Sequence, residues 1–199
     1  MHFSIAPRAA GRNSYSRRME LNEIWDEIEA WYDQHVPDGE PLNEGATDDE
    51  IADVEQQLGV KLPEDVKDSL RRHNGSARSA WATGTLNGCA ELIEDSKSWR
   101  EVIARDGGAG TENEDAELKP GWWRDGWVML DQDADGSGYA LDLDPSDEGS
   151  VGQVIRLESD GGPSLSFASY VEYLKNCLSE LQAGEWRNGL FVPEELADY

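Results

Sequence analysis

The segment Asp131-Gln132-Asp133-Ala134-Asp135-Gly136-Ser137-Gly138-Tyr139-Ala140-Leu141-Asp142-Leu143-Asp144-Pro145 admits two readings with different folds. As a calcium loop, Asp131, Asp133, Asp135 and Gly136 occupy positions 1, 3, 5 and 6 of the EF-hand pattern, and Asp142 occupies position 12. An EF-hand needs a helix on each side. Here the flanks are Trp127-Val128-Met129-Leu130, a compact apolar run, and Tyr139 to Asp144, in which Tyr139, Leu141 and Leu143 alternate with Ala140, Asp142 and Asp144. That alternation is the period-two pattern of a strand with one wet face. Asp142 is also shorter than the Glu that ligates in bidentate fashion, and Gly138 replaces the usual apolar residue at position 8. Asp135-Gly136-Ser137-Gly138 therefore reads as the tip of a β-hairpin, with calcium binding through residues 131–142 as the alternative.

Upstream of this hairpin the apolar period changes to that of helices. Leu21, Ile24, Trp25, Ile28, Trp31 and Tyr32 form one wide stripe, ended by Pro37-Asp38-Gly39 and Pro41. Thr47-Asp48-Asp49-Glu50 is a capping box that opens a second helix with Ile51, Val54 and Leu58 on its buried edge and Gly59 as its stop. Pro63, Glu64 and Asp65 suit the first turn of a third helix, and Arg71-Arg72-His73 before Asn74-Gly75 suits its last. Residues 81–93 read as one or two further strands, residues 106–121 as a long mobile loop, and Val154-Ile155-Arg156-Leu157 as another strand. Phe167, Tyr170, Val171, Leu174, Leu178 and Leu181 define a C-terminal helix. The expected class is α+β, a mainly antiparallel sheet flanked by N-terminal helices and a C-terminal helix. The expected division is a disordered basic leader over 1–18, one domain over 19–184, and a loosely attached tail over 185–199.

The formal net charge of −25 on 199 residues narrows the function classes. Arg8, Arg12, Arg17 and Arg18 are unaccompanied by acid in the leader, so the acidic excess lies wholly beyond it. Such a surface repels phosphates and anionic lipid, which argues against nucleic-acid and membrane partners and suits a basic protein partner. No apolar run reaches the ~18 residues of a membrane span, and no signal peptide is visible. Cys89 and Cys177 make neither a disulfide framework nor a zinc pattern, so a reducing cytoplasm is expected.

Catalytic and cofactor motifs are missing. No GxSxG or phosphate-loop pattern occurs, and Gly107-Gly108-Ala109-Gly110 lacks the strand and the lysine a phosphate loop requires. His35 and His73 sit where helix C-termini attract them, and the two cysteines suit a core better than a nucleophilic role. The expectation is a non-enzyme with no cofactor and no metal site.

Taken in order, these residues resemble the Smi/Knr-type domains of the SUKH superfamily. The resemblance runs through Ile24-Trp25 to Trp31, Gly45-Ala46-Thr47, Ile51, Glu55, Leu58-Gly59, Leu62-Pro63 and His73-Asn74-Gly75. It resumes at Trp127, Asp135-Gly136, Gly138-Tyr139 and Leu141 to Pro145, and closes with Gly149, Gly152-Gln153-Val154-Ile155 and Ser166-Phe167 to Leu174. It implies helices packed on a mainly antiparallel sheet, and a role through protein contacts. Bacterial members commonly neutralise toxins as immunity proteins, and fungal relatives regulate cell-wall synthesis and signalling. The leading expectation is an immunity protein that blocks a basic, nuclease-type toxin, with a regulatory or scaffolding role as the alternative. Candidate partner contacts are Asp131, Asp133, Asp135 and Asp144, with Trp122 and Trp123 as aromatic anchors.

Overall fold

The computed structural model describes residues 14–106, 114–158 and 161–194. The described chain runs α1 (Ser14–His35), α2 (Asp48–Leu58), α3 (Glu64–Arg72), β1 (Thr85–Leu86), α4 (Cys89–Asp106), β2 (Trp127–Met129), β3 (Asp131–Gln132), β4 (Gly138–Asp142), β5 (Gln153–Glu158), β6 (Gly162–Phe167), α5 (Tyr170–Ala183), β7 (Glu185–Arg187) and β8 (Leu190–Val192). The main sheet is antiparallel in the order β2-β4-β5-β6, and β3 peels away from it to pair with β1. This is the expected α+β class.

Strand register explains how one short sheet serves two cores. Val128, Leu141 and Val154 align across β2, β4 and β5, and so do Met129, Ala140 and Ile155. Because successive side chains alternate faces, the first row joins the large core under α1, α2, α3 and α5. The second row faces a smaller core with Leu118, Trp123, Trp127 and Leu157, against which Trp99 and Ile103 of α4 pack. A sheet covered on both faces needs apolar residues at both parities, which is why Trp127-Val128-Met129-Leu130 is a continuous run.

The helix signals have specific local causes. Thr47 accepts from the Glu50 amide at 3.3 Å, and the Glu50 carboxylate accepts from the Thr47 amide at 2.8 Å. Replacing Thr47 with alanine should cost about 1 kcal/mol and lower Tm by about 2–4 °C in a circular-dichroism melt. Glu55, on α2, accepts from the Leu62 amide at 2.9 Å and pairs with Lys61 and Lys67. It clamps the α2–α3 turn.

Five expectations change. The strand read as having one wet face is covered on both: Ala140 and Asp142, on the side read as wet, have no exposed surface, because a second core packed by Trp99 and Ile103 lies there. Residues 14–18 open α1 instead of extending the leader, and Arg18 pairs with Asp68 of α3 at 3.0 Å; residues 1–13 lie outside the described residues. Within 81–93 the only strand is Thr85–Leu86, and a helix starts at Cys89. Its first-turn amide, Cys89 N, is capped by Asn74 Oδ1 at 2.6 Å, so the start signal lies fifteen residues upstream. Of the loop read over 106–121, residues 107–113 lie outside the described residues. The remainder is anchored by buried Leu118 and by Asp115, which accepts from the Leu165 amide at 2.7 Å. The region read as a loose tail holds the β7–β8 hairpin, turned by Asn188-Gly189 with both φ angles positive and pinned by buried Phe191; residues 195–199 lie outside the described residues.

Candidate functional site

The six sequence-derived contact residues do not share one environment. Asp131 faces inward and has no exposed surface. Its carboxylate accepts from the Tyr139 amide at 2.7 Å, the Tyr173 hydroxyl at 2.5 Å, and the Thr83 hydroxyl. Tyr173 in turn accepts from Trp81 Nε1 at 3.0 Å. Burial pushes the Asp131 carboxyl up to about 6, against the opposing pull of these hydrogen bonds and of Arg156. A side chain so enclosed ties β3, β4, α5 and the 81–83 turn together and offers nothing to a partner. This corrects its placement on a contact surface.

Asp133 and Asp135 lie at the hairpin tip. Asp135 is exposed, and the Ser137 hydroxyl and amide hold its carboxyl down to about 2, with Asp133 contributing. Asp133 is half-buried and accepts from Arg156 at 2.9 Å. Arg156 lies 5.1 Å over the Tyr139 ring and also bonds Glu158 at 2.9 Å. The tip thus presents three carboxylates around one guanidinium. Its flanks are strands, Asp131 points into the core, and Asp133 is engaged by a cation, so this is not the cage of an EF-hand. Among the described residues no group of three or more His, Cys, Asp or Glu side chains is arranged to hold a metal ion.

Asp144 lies apart from the tip. Lys119 and Arg124 grip it, Arg124 at 2.9 and 2.7 Å, and together hold its carboxyl below the usual range. Its charge is neutralised within the fold. Trp123 is buried, stacked on Trp99 at 5.8 Å and edge-on to Trp127 at 6.0 Å, so it is a core residue and not an exposed anchor. Trp122 stays half-exposed, with its ring 4.0 Å from where a Cβ on Gly162 would lie. The structure therefore brings together Asp133 and Asp135 only.

The sheet edges restrict how a partner could dock. On β6 the Leu165 amide is taken by Asp115, and Pro163 has no amide to offer. On β2 the Met129 amide donates to Ser96 of α4 at 3.1 Å. Both outer strands are blunted, which disfavours recognition by strand addition. Neither cysteine is disposed to react: burial pushes Cys89 up to about 11 and raises Cys177 well above the ordinary thiol range. His35 Nδ1 faces the Trp31 carbonyl at 2.7 Å, and His73 lies between the Asn43 carbonyl and Glu29, so each is engaged at a helix end.

One feature escaped the sequence reading. An open cleft of about 810 Å³ lies between the start of α1, α3, the β4–β5 turn and the start of α5. Arg17, Asp65, Asp68, Arg71 and Ser169 line it, and Val151, 71% exposed, stands at its rim. Asp68 is already paired with Arg18 and Arg71. Four separate segments build the cleft, and no local motif announces it. No helix among the described residues is long and apolar enough to cross a membrane.

Comparison with known proteins adds independent information. The sequence model of the SMI1 / KNR4 family (SUKH-1) matches residues 45–176. The chain is similar to the glucan synthesis regulatory protein of Neurospora crassa, with 25% identity over 86% of this chain and 39% of that protein. It is similar to the cell wall biosynthesis/cell cycle regulator smi1 of Schizosaccharomyces pombe, with 28% identity over 83% of this chain and 37% of that protein. The cell wall assembly regulator SMI1 of Saccharomyces cerevisiae shares 22% identity over 81% of this chain and 40% of its own length. The chain thus spans less than half the length of these relatives.

Proposed function

Because the chain belongs to the SMI1 / KNR4 family (SUKH-1), we propose that it is a non-catalytic regulatory module, acting in the cytoplasm by binding a protein partner in the control of cell-wall synthesis. The observation that carries this reading is the naming of its relatives as regulators of glucan synthesis and of cell-wall biosynthesis or assembly. It displaces the toxin-blocking role as the leading reading. The hairpin tip supports a polar contact: Asp135 and Glu158 are exposed acids, and Asp133 lies beside them. Charges at the rim of an interface act mostly on encounter rate.

Asp133→Asn combined with Asp135→Lys should slow association with the partner about tenfold at low salt and much less at high salt, as read by surface plasmon resonance. An unchanged rate at low salt would remove the tip from the interface. A second reading, one-to-one blockade of a basic toxin, is favoured by the net charge of −25. That role requires stoichiometric loss of the partner's own activity on mixing, which the regulatory role does not.

A further inference from the structure

The β7–β8 hairpin stands apart from the main sheet and pairs with none of its strands. Each of its strands has three residues, and of those six only Phe191 is buried. Its attachments to the body include the Phe191 amide on the Ser79 carbonyl at 3.0 Å, the Phe191 ring edge-on to Trp31 at 6.0 Å, and Trp186 edge-on to Tyr32 at 6.3 Å. The Ser79 end is unfavourable in itself, because this non-glycine residue is held at φ 56°. A two-stranded hairpin is marginal by itself in water, so these attachments decide whether it stays down.

The surface beneath it is held differently. Trp31 and Tyr32 belong to the buried stripe of a 22-residue helix, and the Tyr32 hydroxyl donates to the Ala80 carbonyl. β4 and β5 are central strands with a neighbour on each side. Detaching the hairpin would give up one buried ring and part of another, whereas opening the sheet would dismantle both cores.

We propose that the β7–β8 hairpin is a displaceable strap: it lifts from the body as a unit while the helices and main sheet stay folded, and its lifting bares the aromatic face of α1 at Trp31 and Tyr32. The lifting is measurable with no partner present.

The test is native-state hydrogen exchange by NMR on the full chain. The Phe191 amide should exchange at least ~100-fold faster than those of Leu141 and Ile155, with a weaker dependence on added denaturant, as expected of a sub-global opening. Equal rates and equal denaturant dependence would show that the hairpin leaves only when the whole domain unfolds, and would overturn the proposal. Phe191→Ser provides a second arm. It should accelerate exchange throughout residues 185–192 while leaving Leu141 within about tenfold of the wild-type rate, and a parallel acceleration at Leu141 would contradict the strap. Either failure would leave the partner-binding role untouched.

Discussion

Replacing Asp131 with alanine should cost about 3 kcal/mol at neutral pH and lower Tm by about 6–12 °C. Three donors converge on this carboxylate, from β4, α5 and the turn carrying Thr83. Truncation strands the Tyr139 amide and removes the acceptor that orients Tyr173, whose oxygen already accepts from Trp81. Asp131→Asn should be milder, because an amide oxygen can keep the Tyr139 bond. The pH dependence separates the two causes. Burial raises the folded-state carboxyl from 3.8 to about 6, so between those values the folded protein holds a proton that the unfolded chain has released. The associated stabilisation is complete below about pH 4 and is lost as pH rises through about 6. The stability of wild type relative to Asp131→Asn should therefore fall by roughly 2 kcal/mol from pH 4 to pH 7. Urea titrations at the two pH values read this directly, and a difference that is flat or rises with pH would contradict the assignment.

Gly45→Ala should be at least as damaging, about 4 kcal/mol or more. A Cβ at this position would lie 1.8 Å from the Arg71 carbonyl oxygen and 2.7 Å from its carbon, both of them backbone atoms. The segment cannot move aside, because three backbone hydrogen bonds clamp it to the end of α3 and the turn beyond. The Asn43 amide donates to the Gly75 carbonyl, the Asn74 amide to Glu44, and the Ala46 amide to Leu70, at 2.8–3.0 Å. Thermal melting should show a loss of more than about 8 °C. A shift under about 2 °C would mean that this clamp yields easily.

Both positions bear on how much the sequence disclosed. Gly45 and the run His73-Asn74-Gly75 carried the family resemblance, and the structure gives their physical reasons. Gly45 permits backbone contact with α3, Asn74 caps α4, and Gly75 holds φ +81° where a Cβ would meet the backbone of Leu86 and Gly88. α1, α2, α3, α5 and the central hairpin were legible because their signals are local: periodicity, a capping box, a stop glycine. α4 was not, because its cap comes from Asn74 and because its stripe of Leu92, Ser96, Trp99 and Ile103 includes a buried serine that serves the Met129 amide. The hairpin tip was legible as acidic. Which acids face outward was not, because strand parity alone does not say that β3 turns aside to pair with β1 and carries Asp131 inward. Lys119 and Arg124 neutralise Asp144 from 25 and 20 residues away, again beyond local pattern.

The proposed role rests on binding, so the most direct test identifies the partner and its fate. The purified 199-residue chain would be used as bait in extracts of the organism that encodes it, with washes at low and then high salt and identification of what is retained. The regulatory account predicts capture of cell-wall synthesis or signalling components, released by salt, less well retained by Asp133→Asn with Asp135→Lys, and with no enzymatic activity abolished one-to-one. A single basic partner whose own activity disappears at equimolar bait would contradict it and establish toxin blockade instead.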